Sequence, residues 1–118
     1  MKREPWHANL LELLADLADV EAQRLCWLTP ITAQRQGVLS DSPAELICGV
    51  FDDCAIDDML NAGPVFSPSI DALLAGMSDL ADAVDTNQSP ENLLADPQWH
   101  QLTELAGTAK SAIAEVLE

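Results

Sequence analysis

The sequence predicts an all-α protein: one domain over residues 1–118, folded as an antiparallel helical bundle of about three longer and two or three short helices. Proline follows a capping side chain at four places, a common way to begin a helix, namely Ser42-Pro43, Ser67-Pro68, Ser89-Pro90 and Asp96-Pro97. Apolar residues recur at three- and four-residue spacing along the predicted helices. No segment alternates apolar and polar residues with a period of two, so no strand is predicted.

The first predicted helix runs from Pro5 to about Leu28. Its apolar stripe has helical spacing and consists of Trp6, Leu10, Leu13, Leu14, Leu17, Val20 and Leu28. Thr29-Pro30 ends this helix, because the residue before a proline avoids the α region. A polar connection over 31–41 follows.

The second predicted helix runs from Pro43 to about Cys54. Its buried face is expected to hold Ile47, Val50, Phe51 and Cys54. Continued further, the helix would carry the Asp58 carboxylate to the same face, where an unpaired charge is very costly. We therefore expect a break near 55–57, with Asp57 capping a short turn that ends at Gly63-Pro64.

The remaining helices follow the later proline starts. The helix from Pro68 has the most regular stripe of the chain, formed by Ile70, Leu73, Leu74, Met77, Leu80, Ala81 and Val84. A short helix with Leu93 and Leu94 follows Ser89. The last helix runs from Pro97 nearly to the end of the sequence and is expected to bury Trp99, Leu102, Leu105, Ala109, Ile113 and Val116.

The charge of the chain is strongly acidic and unevenly distributed. Twenty Asp and Glu oppose five Lys and Arg, which gives a net charge of −15 at pH 7. Between Gln36 and Ala109 there are thirteen acidic residues and no Lys or Arg. A negative field of this kind repels nucleic acid and anionic membranes and speeds association with basic proteins. We expect a basic protein partner, no direct nucleic-acid binding and no membrane binding; the alternative is that acidity only keeps the protein soluble.

The sequence also predicts a cytoplasmic protein. The N-terminal stretch has no uninterrupted apolar region of the kind a signal peptide needs. No apolar run approaches the roughly 18 residues of a membrane span. The three cysteines, Cys26, Cys48 and Cys54, are expected to be reduced and mostly buried.

Residues for metal binding and catalysis are not arranged as those functions require. The segment FDDCAIDD, 51–58, lacks the alternating ligands and central glycine of a calcium loop. His7 and His100 have no second histidine or cysteine at ligand spacing. Cys54 has no neighbouring cation to activate it as a nucleophile, and the glycines form no phosphate loop. We therefore predict no catalytic residue, no metal, no cofactor and no enzymatic activity.

The candidate site is a group of carboxylates that we call the acidic cluster, defined as Glu45, Asp52, Asp53, Asp57 and Asp58. They flank the predicted helix break, so we expect them to be displayed together and to contact a partner. A solvated face with one capping aspartate would explain any one of them alone. We expect Asp52→Asn with Asp53→Asn to weaken a complex roughly tenfold or more, and Asp79 and Asp82 to serve as a control away from the contact.

A family resemblance is carried by three stretches: VEAQRLCWL (20–28), SPAELICGVFDDCAIDDML (42–60) and DPQWHQLTELAGTAKSAI (96–113). They resemble small acidic immunity proteins that accompany bacterial polymorphic toxins, especially in contact-dependent growth inhibition. The resemblance implies a protein that binds one cognate toxin domain in the cytoplasm, often a basic nuclease, and neutralises it. It supplies no catalytic residue and assigns no contact position.

Two other functions remain open from the sequence. One is a DNA mimic or anti-repressor, whose carboxylates replace phosphates in the site of a DNA-binding protein. The other is a non-catalytic adaptor subunit whose acidity is incidental.

Overall fold

The computed structural model describes residues 4–28, 43–53 and 56–117, and these are helical apart from short connections, with no strand among them. The elements are α1 Pro5–Ala18, α2 Val20–Leu28, α3 Pro43–Cys48, a π-helical turn Gly49–Asp53, α4 Ile56–Ala62, α5 Pro68–Ala83, α6 Pro90–Leu94 and α7 Pro97–Leu117. The all-α prediction is confirmed. Within the described ranges, no helix is long and apolar enough to cross a membrane.

The predicted first helix is in fact two helices that meet at Asp19. The Asp19 backbone leaves the α region, with φ −88° and ψ 80°. Its side-chain Oδ1 accepts a hydrogen bond from the backbone N–H of Ala22, at 3.0 Å. An aspartate at this position competes for backbone donors, and it thereby ends α1 and caps α2. Apolar spacing alone did not indicate this break, because it continues on both sides of Asp19.

The predicted second helix changes its geometry before it ends. The α-helix stops at Cys48, and Gly49–Asp53 form the π-helical turn. Val50 and Phe51 are buried as predicted and Ile47 is only partly buried. Cys54 and Ala55 lie outside the described residues, and Ile56 and Asp57, also within the break expected near 55–57, already belong to α4. Cys48 is exposed, so the prediction of burial is wrong for this cysteine.

The predicted capping residues act as predicted at three of the four starts. The Ser67 and Ser89 hydroxyls accept from the backbone N–H groups of Ile70 and Asn92, at 3.2 and 3.3 Å. Asp96 Oδ1 accepts from the backbone N–H of Gln98 at 2.9 Å. The fourth capping residue, Ser42, lies outside the described residues.

The core forms where α7 packs between α1 and α5. From α7 it receives Trp99, Leu102, Ala106, Ala109, Ile113 and Leu117. From α1 and α5 it receives Leu10, Leu14, Leu17, Ile70, Leu74, Met77 and Ala81. Ala18 at the end of α1 lies opposite Gly107 in α7, and Gln23, further along the chain, contacts Trp99 near the start of α7. These pairings indicate that the segment formed by α1 and α2 runs antiparallel to α7.

A buried glutamine joins three of the helices. The Gln23 side-chain amide donates to the carbonyl oxygens of Asp16 and Leu17, at 3.0 and 2.8 Å, where α1 ends. Its Oε1 accepts from the indole N–H of Trp99 in α7, at 3.1 Å. The side chain of Trp99 also packs against that of Trp27, with 5.9 Å between ring centroids. Gln23 therefore connects α1, α2 and α7 at one point.

Candidate functional site

The structure describes the side chains of three of the five residues of the acidic cluster. Glu45 in α3 and Asp58 in α4 are exposed, while Asp57 is partly buried in the first turn of α4. Asp52 and Asp53 end the π-helical turn, and their side chains lie outside the described residues. The structure therefore locates three of the five carboxylates and distinguishes Asp57 from the other two.

Asp57 connects α4 to α5. Its Oδ1 accepts a hydrogen bond from the Ser78 hydroxyl, at 2.8 Å. The expectation that Asp57 caps a short turn is thus corrected, because the residue lies inside a helix and contacts the neighbouring one. A hydrogen bond that joins helices uses one carboxylate oxygen and leaves the other for a further donor.

Asp57 and Asp79 line the same cleft between α4 and α5. This acidic cleft has a volume of about 270 Å³ and is lined by Asp57, Leu60, Asn61, Ala75, Ser78 and Asp79. Asp79 is exposed. The fold thus brings Asp79 next to Asp57, a member of the acidic cluster, across helices that are distant in sequence. Asp79 is therefore not spatially separate from the cluster. Asp82 is exposed on α5 and does not line the cleft.

The acidic cleft presents groups that accept hydrogen bonds from a cation. Two carboxylates, one amide and one hydroxyl surround a space open to solvent. A lysine or arginine side chain supplies donors and positive charge together, so this arrangement suits it. Among the described residues, no three His, Cys, Asp or Glu side chains come together as a metal site.

A second, apolar cleft lies on the other side of α4. Its volume is about 380 Å³, and it is lined by Trp6, Met59, Ala62, Gly63, Pro64 and Val65. Sequence reasoning missed it, because it assigned Trp6 to the core stripe and Gly63-Pro64 to a turn. Gly63 has φ +149°, a value that side chains rarely allow, and it turns the chain at the end of α4.

Hydrogen bonds hold two walls of the apolar cleft in place. The Trp6 indole N–H donates to Glu4 Oε2 at 2.9 Å. The Trp6 ring packs against the ring of the buried His7, with 4.0 Å between the ring centroids. At a second part of the wall, the Asp71 carboxylate accepts from the backbone N–H groups of Val65 and of its neighbour Phe66, at 2.8 and 2.9 Å. Asp71 therefore stabilises the loop, although the sequence places it among the surface acids.

A third groove exposes apolar side chains of α2. It has a volume of about 330 Å³ and is lined by Glu21, Arg24, Leu25 and Leu28. Leu25 is 54% exposed and Leu28 is 38% exposed, and α2 ends at Leu28. This groove carries one of the five basic residues of the chain and differs in that respect from the clefts beside α4.

The geometry thus presents carboxylates and an apolar cleft around α4. No known protein family, no curated protein and no solved structure matches this chain.

Proposed function

We propose that this protein is an immunity protein that binds a basic toxin domain in the bacterial cytoplasm and neutralises it without catalysis. The observation that carries the proposal is the surface around α4 and α5, where Asp57, Asp58 and Asp79 lie within a stretch free of Lys and Arg. The sequence resemblance to immunity proteins supports the same function.

The chemistry of the proposed partner explains why the surface is acidic. A toxin that cleaves or binds nucleic acid presents cationic side chains where phosphates would lie. Carboxylates of this protein can occupy those positions and exclude the substrate. Truncating one partner of a buried charge pair typically costs 2–5 kcal/mol, or more, of binding free energy.

The experiment that tests the proposal is growth protection. The coding region that neighbours this gene is expressed in a bacterial host with and without this protein, and growth is measured. We expect growth only when this protein is present, and a stable complex when the two are purified together. Growth arrest in both cultures, with no complex, would contradict the proposal. A toxin domain from an unrelated system serves as the control and should remain lethal.

Charge variants test the surface directly. Asp57→Asn with Asp79→Asn keeps the shape of the acidic cleft and removes its charge, so we expect the complex to weaken by roughly tenfold or more. Asp82→Asn with Glu91→Gln makes the same change in net charge at exposed positions outside the cleft and should weaken it much less. Titration calorimetry measures both affinities, and thermal unfolding verifies that each variant is folded. Equal losses would contradict a contact at the cleft.

The same assay on Asp52→Asn with Asp53→Asn tests the remaining part of the acidic cluster. We expect a loss of similar size for this pair. Unchanged affinity would restrict the contact to the α4–α5 side.

A further inference from the structure

We propose that α4 is the centre of a two-part docking surface for one partner segment that is basic and carries an apolar anchor. The apolar cleft takes a large apolar or aromatic side chain, and the acidic cleft takes a lysine or arginine of the same segment. This inference rests on the proposed function and specifies the partner chemistry.

The two clefts are arranged on opposite sides of one short helix. Asp57 and Asn61 are four residues apart and line the acidic cleft, while Met59 and Ala62 are three residues apart and line the apolar cleft. A helix with its side chains is about 10 Å across. The partner must therefore present its anchor and its cation at roughly that separation, which a single helix or extended segment can do.

The apolar cleft is built before any partner binds. The Trp6 indole is held by Glu4, and the Val65 wall is held by Asp71. Side chains that are already fixed lose little freedom on binding, so a preformed cleft favours affinity.

The charges beside the apolar cleft select a cationic occupant. Glu4, which holds Trp6, and Asp58, one helical turn before Ala62, are both exposed carboxylates. An acidic ligand would be repelled by both of them. A lysine or arginine beside the anchor is attracted to these carboxylates and to the face of the Trp6 indole. Apolar contact and charge therefore favour the same kind of segment.

Two synthetic peptides test this partner chemistry without the toxin. They carry the same number of lysines, but one has leucine and tryptophan at the positions where the other has serine. We expect the apolar basic peptide to bind about tenfold or more tightly than the serine peptide, measured by fluorescence anisotropy at physiological salt. Equal affinities would overturn the proposal, because charge alone would then account for binding.

Three alanine-to-arginine variants locate the binding. Ala62 ends α4 and Ala95 is the C-cap of α6; both are exposed and lie where a cation is compatible with the helix dipole. Ala62→Arg fills the apolar cleft and should abolish the preference for the apolar peptide, whereas Ala95→Arg makes the same charge change at a residue that lines neither cleft and should preserve it. Ala75→Arg enters the acidic cleft and should weaken both peptides more than Ala95→Arg does. Equal effects of all three variants would overturn the two-part surface.

The outcomes distinguish this inference from the proposed function. Growth protection that survives Ala62→Arg, with no peptide preference in the wild type, would overturn the inference and leave the immunity function intact. The expected peptide preference without growth protection would support the docking surface and overturn the immunity function. Self-association that Ala62→Arg abolishes would identify a second copy as the occupant and overturn the inference.

Discussion

Gln23 is a fully buried polar side chain, and both ends of its amide are used. Glutamine is seldom buried, and it is tolerated here because it satisfies carbonyl groups at the end of α1 and the indole N–H of Trp99. No buried side-chain nitrogen or oxygen in the described ranges lacks a partner. A substitution of Gln23 would therefore leave several buried polar groups without a hydrogen-bond partner.

We expect Gln23→Leu to lower the free energy of unfolding by about 3 kcal/mol, because each buried polar group left unsatisfied costs roughly 1–3 kcal/mol. Gln101→Leu, at an exposed position of α7, is the matched control and should change stability very little. Urea denaturation measures both. Similar midpoints for the two variants would contradict a stabilising role for the Gln23 network.

Asp96 makes stability depend on pH in the acid range. The Gln88 side-chain amide, followed by the backbone N–H of Gln98, holds the pKa of the Asp96 carboxyl below its ordinary value of 3.8. Smaller contributions in the same direction come from the backbone of Trp99 and from His100, while desolvation opposes them. A lowered folded-state pKa stabilises the protein above the unfolded-state pKa, and this contribution is lost as the pH falls through the folded-state value.

We therefore expect Asp96→Asn to be less stable than the wild type near neutral pH, with the difference shrinking as the pH falls below about 4. Glu91→Gln, at an exposed position on α6, controls for the loss of one charge. Denaturation midpoints across the pH range give the comparison. A difference that is independent of pH would show that the carboxylate charge of Asp96 is not the cause.

At the scale of elements, the short helices depend on contacts with the longer ones. α3, α4 and α6 contain six, seven and five residues, which is too few for a helix to be stable alone in water. The π-helical turn approaches α1 so closely that a Cβ on Gly49 would lie 2.9 Å from Leu13 Cδ2. Glycine at this position therefore allows the segment before α4 to pack against α1.

Two glycines in helical segments are expected to respond differently to alanine. Gly76 lies inside α5 with nothing within 4 Å of an added Cβ, so Gly76→Ala should stabilise the protein by about 0.5–1 kcal/mol. Gly49→Ala should stabilise the protein less than Gly76→Ala does, or destabilise it, because the Leu13 side chain must move. Thermal unfolding measures the order of the two variants. A larger gain for Gly49→Ala would show that the contact with Leu13 imposes no constraint.

At the scale of the whole molecule, the net charge of −15 acts over a longer range than any single contact. Of the five basic residues, only Arg24 and Lys110 lie in the described ranges, and both are exposed. Charges distributed in this way would steer the proposed basic partner toward the surface before contacts form.

We expect the rate constant for association with the proposed toxin domain to fall markedly between low and physiological salt, where the screening length is about 8 Å. The rate constant for dissociation should change much less, because it depends on short-range contacts. Stopped-flow mixing at several salt concentrations measures both rate constants. The Asp82→Asn and Glu91→Gln substitutions should reduce the salt dependence of the association rate constant. An association rate constant that does not change with salt concentration would mean that the acidic surface does not steer binding.

The sequence by itself determined the features that depend on neighbouring residues. Ser67, Ser89 and Asp96 cap helices because a capping side chain reaches a backbone N–H only two or three residues ahead. The apolar stripe of α5 predicted its buried face for the same local reason, since residues three and four apart share one side of a helix.

Only the tertiary structure decided which distant residues meet. Gln23 reaches Trp99, 76 residues away, and Asp57 reaches Ser78, 21 residues away. The same packing places Asp79 beside Asp57, and it forms the apolar cleft from Trp6 and the segment after α4. Local spacing carries no information about these pairs, because they are set by how α1, α4, α5 and α7 pack against one another around a common core.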